Sequence, residues 1–263
     1  MNYQTILYSV SDGVARLTLN RPERLNSFNA QMHAEVRQAL ARLESDSTVR
    51  VLVITGAGRG FCAGQDLSDR TVAPGGEAVD LGASIERDYK PLILTLRRLP
   101  VPVLCAVNGV AAGAGANIAL ACDLVLAAHS ASFVQAFARI GLAPDSGGTW
   151  FLPRLVGPAR ALGLALLGEK LLAREAAEWG LIWRCIDDDD FAAEVDSLAA
   201  RLAAAPTLAL RRIRQALADS WSHTLEQQLD VERDVQRELG FSADYAEGVA
   251  AFIAKREPRF IGR

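Results

Sequence analysis

Little in this chain invites metal or redox chemistry. Its 263 residues include only four cysteines, Cys62, Cys105, Cys122 and Cys185. No pair has CxxC spacing and none stands near a histidine at ligand distance, which argues against a structural zinc. The four read as free thiols of a reducing compartment. Cys62 adjoins a glycine-rich loop, yet nothing beside it in sequence would activate it as a nucleophile. The three histidines, His33, His129 and His223, are isolated and read as surface or structural residues. The acidic run Asp187–Asp190 reads as a solvated turn or a helix start, where the dipole favours negative charge, and no metal is expected. A net charge of −3 supplies no basic surplus, so neither nucleic acid nor an anionic membrane is expected as the main partner. The longest apolar stretches, such as Val110–Ala121, are short and rich in small residues, unlike a membrane span. The opening MNYQTILYSVSDG has neither the basic nor the apolar region of a secretory leader, so a cytoplasmic protein is expected.

What is present suits an α/β protein. Half the residues are hydrophobic, enough for a full core in one large domain, or in one domain with a small appendage. Thr5–Val10 and Val14–Leu19 flank Asp12-Gly13, a hairpin signal. Ser27 to Glu44 has helical periodicity, with Phe28, Met32, Val36, Leu40 and Leu43 on one face. Val51–Thr55 is a continuous apolar run, as expected of a buried parallel strand. A polar loop at Thr71–Gly76 precedes an amphipathic helix at Ser84–Arg98. Strands are expected at Val103–Val107 and Asp123–Ala127. From about Phe191 strands vanish and helices rich in Arg, Leu, Ala and Glu dominate, so the division expected is an α/β core over 1–195 and a helical region over 196–263.

Two glycine-dense turns, Gly56–Asp66 and Asn108–Gly115, each follow a strand. Glycines let a backbone approach a ligand, and a helix start presents N–H groups without partners. No GK[ST] follows either turn, and Phe61 and Ile118 break the dinucleotide fingerprint. Spacing alone leaves two readings open, a ligand cradle or tight turns at sheet edges. Asp145, in Ala-Pro-Asp-Ser-Gly-Gly, likewise reads as a helix N-cap or as a functional acid.

Four segments together carry a resemblance. Asn20-Arg-Pro-Glu-Arg-Leu-Asn26, Phe61-Cys-Ala-Gly-Gln-Asp-Leu67, Ala106-Val-Asn-Gly-Val-Ala-Ala-Gly-Ala-Gly115 and Gly141-Leu-Ala-Pro-Asp-Ser-Gly-Gly-Thr149 resemble the signature segments of the crotonase (enoyl-CoA hydratase/isomerase) superfamily, in order and over essentially the whole chain. The resemblance implies a spiral of repeated β-β-α units, with a helical C-terminal region that covers the active site and forms a trimer or a pair of trimers. It implies an acyl-coenzyme A substrate and no separate cofactor. The backbone N–H groups of Gln65 and Ala114 would hold the thioester carbonyl, where an enolate develops negative charge. Hydratases of the superfamily use two glutamates; here those positions hold Asn117 and Phe137, so two-acid hydration is not expected. Some relatives, including an aryl-CoA dehalogenase, place a functional aspartate where this chain has Asp145. One carboxylate suffices to move a proton between two carbons, and an acid partly buried beside Phe137 would have a raised pKa. By the same carry-over Arg24, Ala63, Asp66 and Leu67 would meet coenzyme A, as would Lys255 and Phe260, from the same or a neighbouring subunit. Ile85, Asn117, Phe137 and Trp150 would line the acyl pocket.

Further segments, among them Leu81–Arg87, Gln135-Ala-Phe137, Gly148–Pro153 and Glu178–Trp183, are similar to the branch of that superfamily that acts on ring-epoxidised phenylacetyl-CoA. That similarity implies conversion of the epoxide to the seven-membered oxepin, and a shift of β,γ double bonds into conjugation. A general fatty enoyl-CoA isomerase or hydratase is the alternative within the enzyme class. A non-catalytic or RNA-binding homologue is the alternative outside it.

Overall fold

The computed structural model describes residues 3–70 and 80–263. The polar loop expected at Thr71–Gly76 lies outside them. The chain opens with the hairpin β1 (Ile6–Ser11) and β2 (Val14–Leu19), paired from Ile6↔Leu19 to Ser11↔Val14. Its two turn residues, Asp12 and Gly13, both have positive φ, the requirement of a two-residue hairpin turn. Helix α1 (Ala30–Ser45) follows. It begins three residues later than the periodicity suggests, because Asn29 caps it through a bond from the Met32 N–H and Phe28 pairs as a bridge with Gln65 instead.

Three turns of one pattern come next. Each contributes a long strand to one sheet, a short strand to another, and then helix. The first comprises β3 (Val51–Gly56), β4 (Gly60–Cys62), α2 (Leu81–Ser84), a π-helical turn (Ile85–Tyr89) and α3 (Lys90–Arg98). Helical structure there starts ahead of Ser84 because Asp80 caps it. The second comprises β5 (Val103–Val107), β6 (Val110–Ala112) and α4 (Ala114–Leu120). The third comprises β7 (Leu124–Ala128), β8 (Ser132–Val134) and α5 (Gly148–Leu167), which breaks at Gly157. Strand β9 (Lys170–Leu172), α6 (Ala173–Glu178) and β10 (Arg184–Ile186) close the pattern. The larger sheet runs β1-β2-β3-β5-β7-β10, parallel except for the hairpin; the smaller runs β4-β6-β8-β9, antiparallel only at β8–β9. This is the spiral of β-β-α units that the resemblance implied.

The central strands are apolar on both faces because both are covered. Leu52, Ile54, Val103, Cys105 and Val107 enter the main core with α1 and α3, whereas Val51, Val53, Leu104, Ala106 and Leu126 face α7 (Phe191–Ala204) through Val195, Leu198 and Ala199. Burying one such side chain contributes roughly 1.5–3 kcal/mol. The division expected between 195 and 196 falls inside α7, a helix that belongs to the sheet's cover. The strand expected from Asp123 begins at Leu124, since the Asp123 carboxylate accepts the Val103 N–H at 2.7 Å and pairs with Arg214 at 2.7 Å.

That arginine lies on α8 (Thr207–Asp219) and also donates to the carbonyls of Leu99 and Val101 at 2.6 and 2.7 Å, tying the helix to the entry of β5. Helices α9 (Leu225–Gly240) and α10 (Ala243–Ala254) complete the arm. The tail then folds back, its Ile261 and Gly262 N–H groups donating to the buried Asp244 carboxylate at 2.7 and 2.8 Å. Among the described residues no helix is long and apolar enough to cross a membrane.

Candidate active site

The two glycine turns leave the ends of β3 and β5 and lie side by side. Gly64 shows how closely. It has φ +90°, and a side chain there would put its first carbon 2.9 Å from the Ala112 carbonyl oxygen and 3.2 Å from the Ala114 nitrogen. Only glycine fits both the conformation and the space.

Two asparagines brace these turns. Asn26, fully buried, donates to the carbonyls of Ala57 and Gly60 at 2.9 and 2.8 Å and accepts the Arg21 N–H at 2.9 Å. Asn108 accepts the Gly56 N–H at 3.1 Å and donates to the Gly58 carbonyl at 2.9 Å. Arg21 reaches across to the Ser27 carbonyl at 2.6 Å and to Asp66 at 2.8 Å. The N-terminal signature segment is therefore a brace for the first turn. Sequence reasoning quoted its asparagine without giving it a role, because its carbonyl partners lie more than thirty residues away.

The pairing with Phe28 also orients Gln65. The Gly64 carbonyl and the Asp66 N–H both bond to Phe28, at 2.7 and 2.8 Å. In such a parallel bridge the N–H of the residue between points away from the paired segment. The Gln65 side chain accepts from the Tyr89 hydroxyl at 2.9 Å. Tyr89 is delivered by the π turn and stacks edge-on against His33 at 4.5 Å, while His33 also packs on Phe28 at 4.8 Å. His33 is thus a buried structural residue. Ala114 opens α4, so its N–H has no acceptor within the helix. Both expected donors therefore belong to adjoining turns.

Asp145 reaches this region through α4. Its main-chain carbonyl accepts the Gly148 N–H and the Asn117 amide, each at 2.8 Å, and Asn117 sits one helical turn beyond Ala114. The Ser146 hydroxyl donates to the half-buried Asp145 carboxylate at 2.9 Å. The N-cap of α5 is Gly147, with no side-chain cap bond, so the helix-cap reading of Asp145 is not realised. Phe137 is buried with its ring edge towards Gly113, 3.7 Å from where a side chain there would begin. Ala114, Asn117, Phe137 and Asp145 are thus brought together.

The remaining expected residues divide. Ala63 is held by its N–H bond to the Leu25 carbonyl at 2.9 Å, and Leu67 and Arg24 stand exposed beside the first turn. The Asp66 carboxylate is turned inwards. The Ser68 hydroxyl, and then the Arg21 guanidinium, hold it below the usual carboxylate range against the opposing effect of burial. Burial pushes the Cys62 thiol up to about 12, which leaves it inert. Ile85 is half-buried on the π turn, four residues before Tyr89. Trp150 lies under the Arg154 guanidinium at 4.2 Å, in a groove shared with Ile213, Leu217 and Trp221 of the helical arm. Lys255 stands exposed at the end of α10, and Phe260 packs back towards Gly248. The tail beyond ends against Arg50 and Thr207. Arg50 precedes β3 whereas the turns follow it, and a strand of that length spans about 20 Å. Within one chain, then, the tail that carries Phe260 is anchored at the far end of the sheet from the turns.

The family model described as enoyl-CoA hydratase/isomerase matches residues 9–263. The chain is 59% identical over 258 residues to the 1,2-epoxyphenylacetyl-CoA isomerase of Escherichia coli (strain K12), covering 98% of each. It is 36% identical to the trans-2-decenoyl-(acyl-carrier-protein) isomerase of Streptococcus mutans, over 100% of both. Among solved structures, the enoyl-CoA hydratase of Bacillus anthracis matches with a TM-score of 0.90 at 30% identity, covering 99% of this chain and 100% of that one.

Proposed function

Since this chain belongs to the enoyl-CoA hydratase/isomerase family, we propose that it is an acyl-coenzyme A isomerase that converts ring 1,2-epoxyphenylacetyl-CoA to the oxepin-CoA and also moves β,γ double bonds into conjugation. The observation that carries this reading is the composition of the site. An amide, Asn117, and a phenyl ring, Phe137, stand where the family's hydratases have their two glutamates, and the loop that carries the Asp145 carboxylate is bonded to Asn117 through the Asp145 main-chain carbonyl. The likeness to the Escherichia coli isomerase supports the substrate.

The chemistry balances without cofactor, water or net redox change. The thioester carbonyl accepts from the Gln65 and Ala114 N–H groups. Asp145 removes a proton from the carbon next to the thioester, and the electron pair is held as an enolate. The epoxide C–C bond opens into the seven-membered ring, and the proton is returned to a ring carbon. The β,γ shift uses the same deprotonation and enolate but opens no ring: the double bond moves and the proton is returned to the γ carbon. Each backbone donor lowers the barrier by roughly 3–4 kcal/mol. Arg24, Ala63 and Leu67 serve coenzyme A on this reading, Phe137 and Ile85 the acyl group. Asp66 contributes through its backbone, because its carboxylate is already held by Arg21 and Ser68.

The helical arm supports self-association as a trimer or pair of trimers: Phe241, Phe252 and Ile253 are 88%, 85% and 75% exposed in the single chain. Lys255 and Phe260 then serve a neighbouring subunit's coenzyme A. The protein works in the cytoplasm on this reading. The Streptococcus mutans likeness supports a second reading, a general enoyl isomerase, and a broad alkyl preference in substrate profiling would favour it.

The test is Asp145→Asn, assayed with epoxyphenylacetyl-CoA and with a 3-enoyl-CoA. Loss of on the order of 10³-fold in kcat for both is expected. Survival of both activities near the wild-type rate would remove Asp145 as the base.

A further inference from the structure

Asn117 and Gln135 are both inaccessible to solvent or nearly so, at 0% and 3% exposure, and they bond to one another. The direction of that bond is dictated from outside the pair. The Asp145 carbonyl can only accept, so Asn117 must present its NH₂ group there, at 2.8 Å. Its oxygen is then turned away and takes the Gln135 Nε2 at 2.8 Å. Gln135 Oε1 is left at the far end, buried, with no donor among the described residues. Turning over either amide would set oxygen against oxygen. A single main-chain oxygen, that of the residue bearing the carboxylate, thus fixes both amides.

We infer that Asn117 and Gln135 are a polarised amide relay that positions Asp145, and that the amide donor at 117 is what holds the base in place. The inference rests on Asp145 being the base of the proposed reaction. The loop needs holding, because Ser146 has φ +49° and Gly147 φ +83°. A non-glycine residue there is strained and persists only when its surroundings enforce it. The packing around the amide is tight as well: a side chain at Gly148 would put its first carbon 2.4 Å from Asn117 Nδ2. Asn117 also stands on α4, the helix whose first N–H belongs to Ala114. One side chain therefore ties the base loop to the helix that supplies an enolate-stabilising donor, and sets the spacing between them. An ionised carboxylate at 117 has no hydrogen to donate and would repel the Asp145 carbonyl. Replacement of acid by amide accordingly does two things at once: it removes a hydratase group and supplies the support of the new base.

The test compares Asn117→Ala, Asn117→Leu, Gln135→Leu and the Asn117→Leu/Gln135→Leu double variant in the full-length enzyme, with kcat and KM for a 3-enoyl-CoA and hydrogen exchange at the Gly148 amide. Both Asn117 variants are expected to lose on the order of 10²-fold in kcat, with KM within about threefold, as a base displaced by about an ångström would. Gln135→Leu is expected to lose roughly 5- to 10-fold, and nothing further on top of Asn117→Leu, because Gln135 acts through Asn117. Exchange at Gly148 should quicken in the Asn117 variants. Near-normal kcat in Asn117→Leu would assign the position to packing and overturn the relay, as would full additivity of the two losses. Should one Asn117 variant fail to fold, the other and Gln135→Leu still decide. If the wild type isomerises neither thioester, it is the proposed activity that falls, and unchanged exchange at Gly148 then overturns the relay separately.

Discussion

In the turn region, polar side chains are buried and bonded. Asn26 reaches two carbonyls and an N–H, Asn108 bridges Gly56 and Gly58, and Asn117 links Gln135 to Asp145. In the arm of α8, α9 and α10 the balance is reversed: no residue of α9 is buried, and large apolar groups such as Phe241 and Phe252 face outwards. The first region is complete within one chain and depends on each hydrogen bond. The second is held by a few anchors, Arg214 and Asp244 chief among them, and presents surface that a neighbour would cover. A small change should therefore act far out of proportion to its size in the turns and stay local in the arm.

The largest effect is expected from a single added methyl group. Gly64→Ala must either abandon φ +90° or press against the Ala112 oxygen and Ala114 nitrogen, so it separates the two turns. We expect kcat to fall on the order of 10²- to 10³-fold with the circular dichroism spectrum retained. Wild-type turnover by this variant would break the comparison at its strongest point. Asn26→Ala should follow. It removes the donor to the Ala57 carbonyl and the acceptor of the Arg21 N–H, and leaves the Gly60 carbonyl only the Asn108 amide at 3.4 Å; urea unfolding should register a loss of about 3 kcal/mol. A loss below about 1 kcal/mol would show that the turn relaxes to satisfy itself.

Much of this division could be read from sequence, and the exceptions have a common cause. The hairpin followed from Asp12-Gly13, and β3 and β5 from unbroken apolar runs, since these signals are local. The short strands β4, β6 and β8 carried none. Gly60–Cys62 and Val110–Ala112 are strands only because the spiral stacks them on one another, and three residues are too few to show a period. Phe28 fits the helical stripe of α1 yet is drawn out of it by its pairing with Gln65. At the site, the expectations for the two N–H groups, for Asp145 and for the missing acids at 117 and 137 all came from the resemblance, set against the residues this chain has there. The braces did not follow. The partners of Asn26, Asn108 and Gln135 are carbonyls and amides tens of residues away, and nothing local marks an asparagine as bonded across such a distance.

The arm supplies the weaker half of the comparison. Phe252→Ser with Ile253→Ser removes exposed apolar groups that touch little in their own chain. Light scattering should show the wild type as an oligomer and the variant shifted towards a single chain. The stability of that chain should change by about 0.5 kcal/mol or less, as for exposed substitutions generally. A wild-type protein that is already monomeric would remove the reason given for the exposed face.

The smallest effect should come from the cap of α9. Thr224 accepts the Gln227 N–H at 3.2 Å while Gln227 accepts the Thr224 N–H at 2.9 Å, a reciprocal box at the helix start. Thr224→Ala opens one half of it and should cost about 1 kcal/mol. Because no residue of α9 is buried in the single chain, nothing in the core need move when its first turn frays. Hydrogen exchange should quicken over residues 225–240 alone, with kcat and the exchange of the turns unchanged. If exchange instead quickened at Gly64 or Gly148, the arm would be coupled to the site through α8 and Arg214, and the two regions would have to be treated as one cooperative unit.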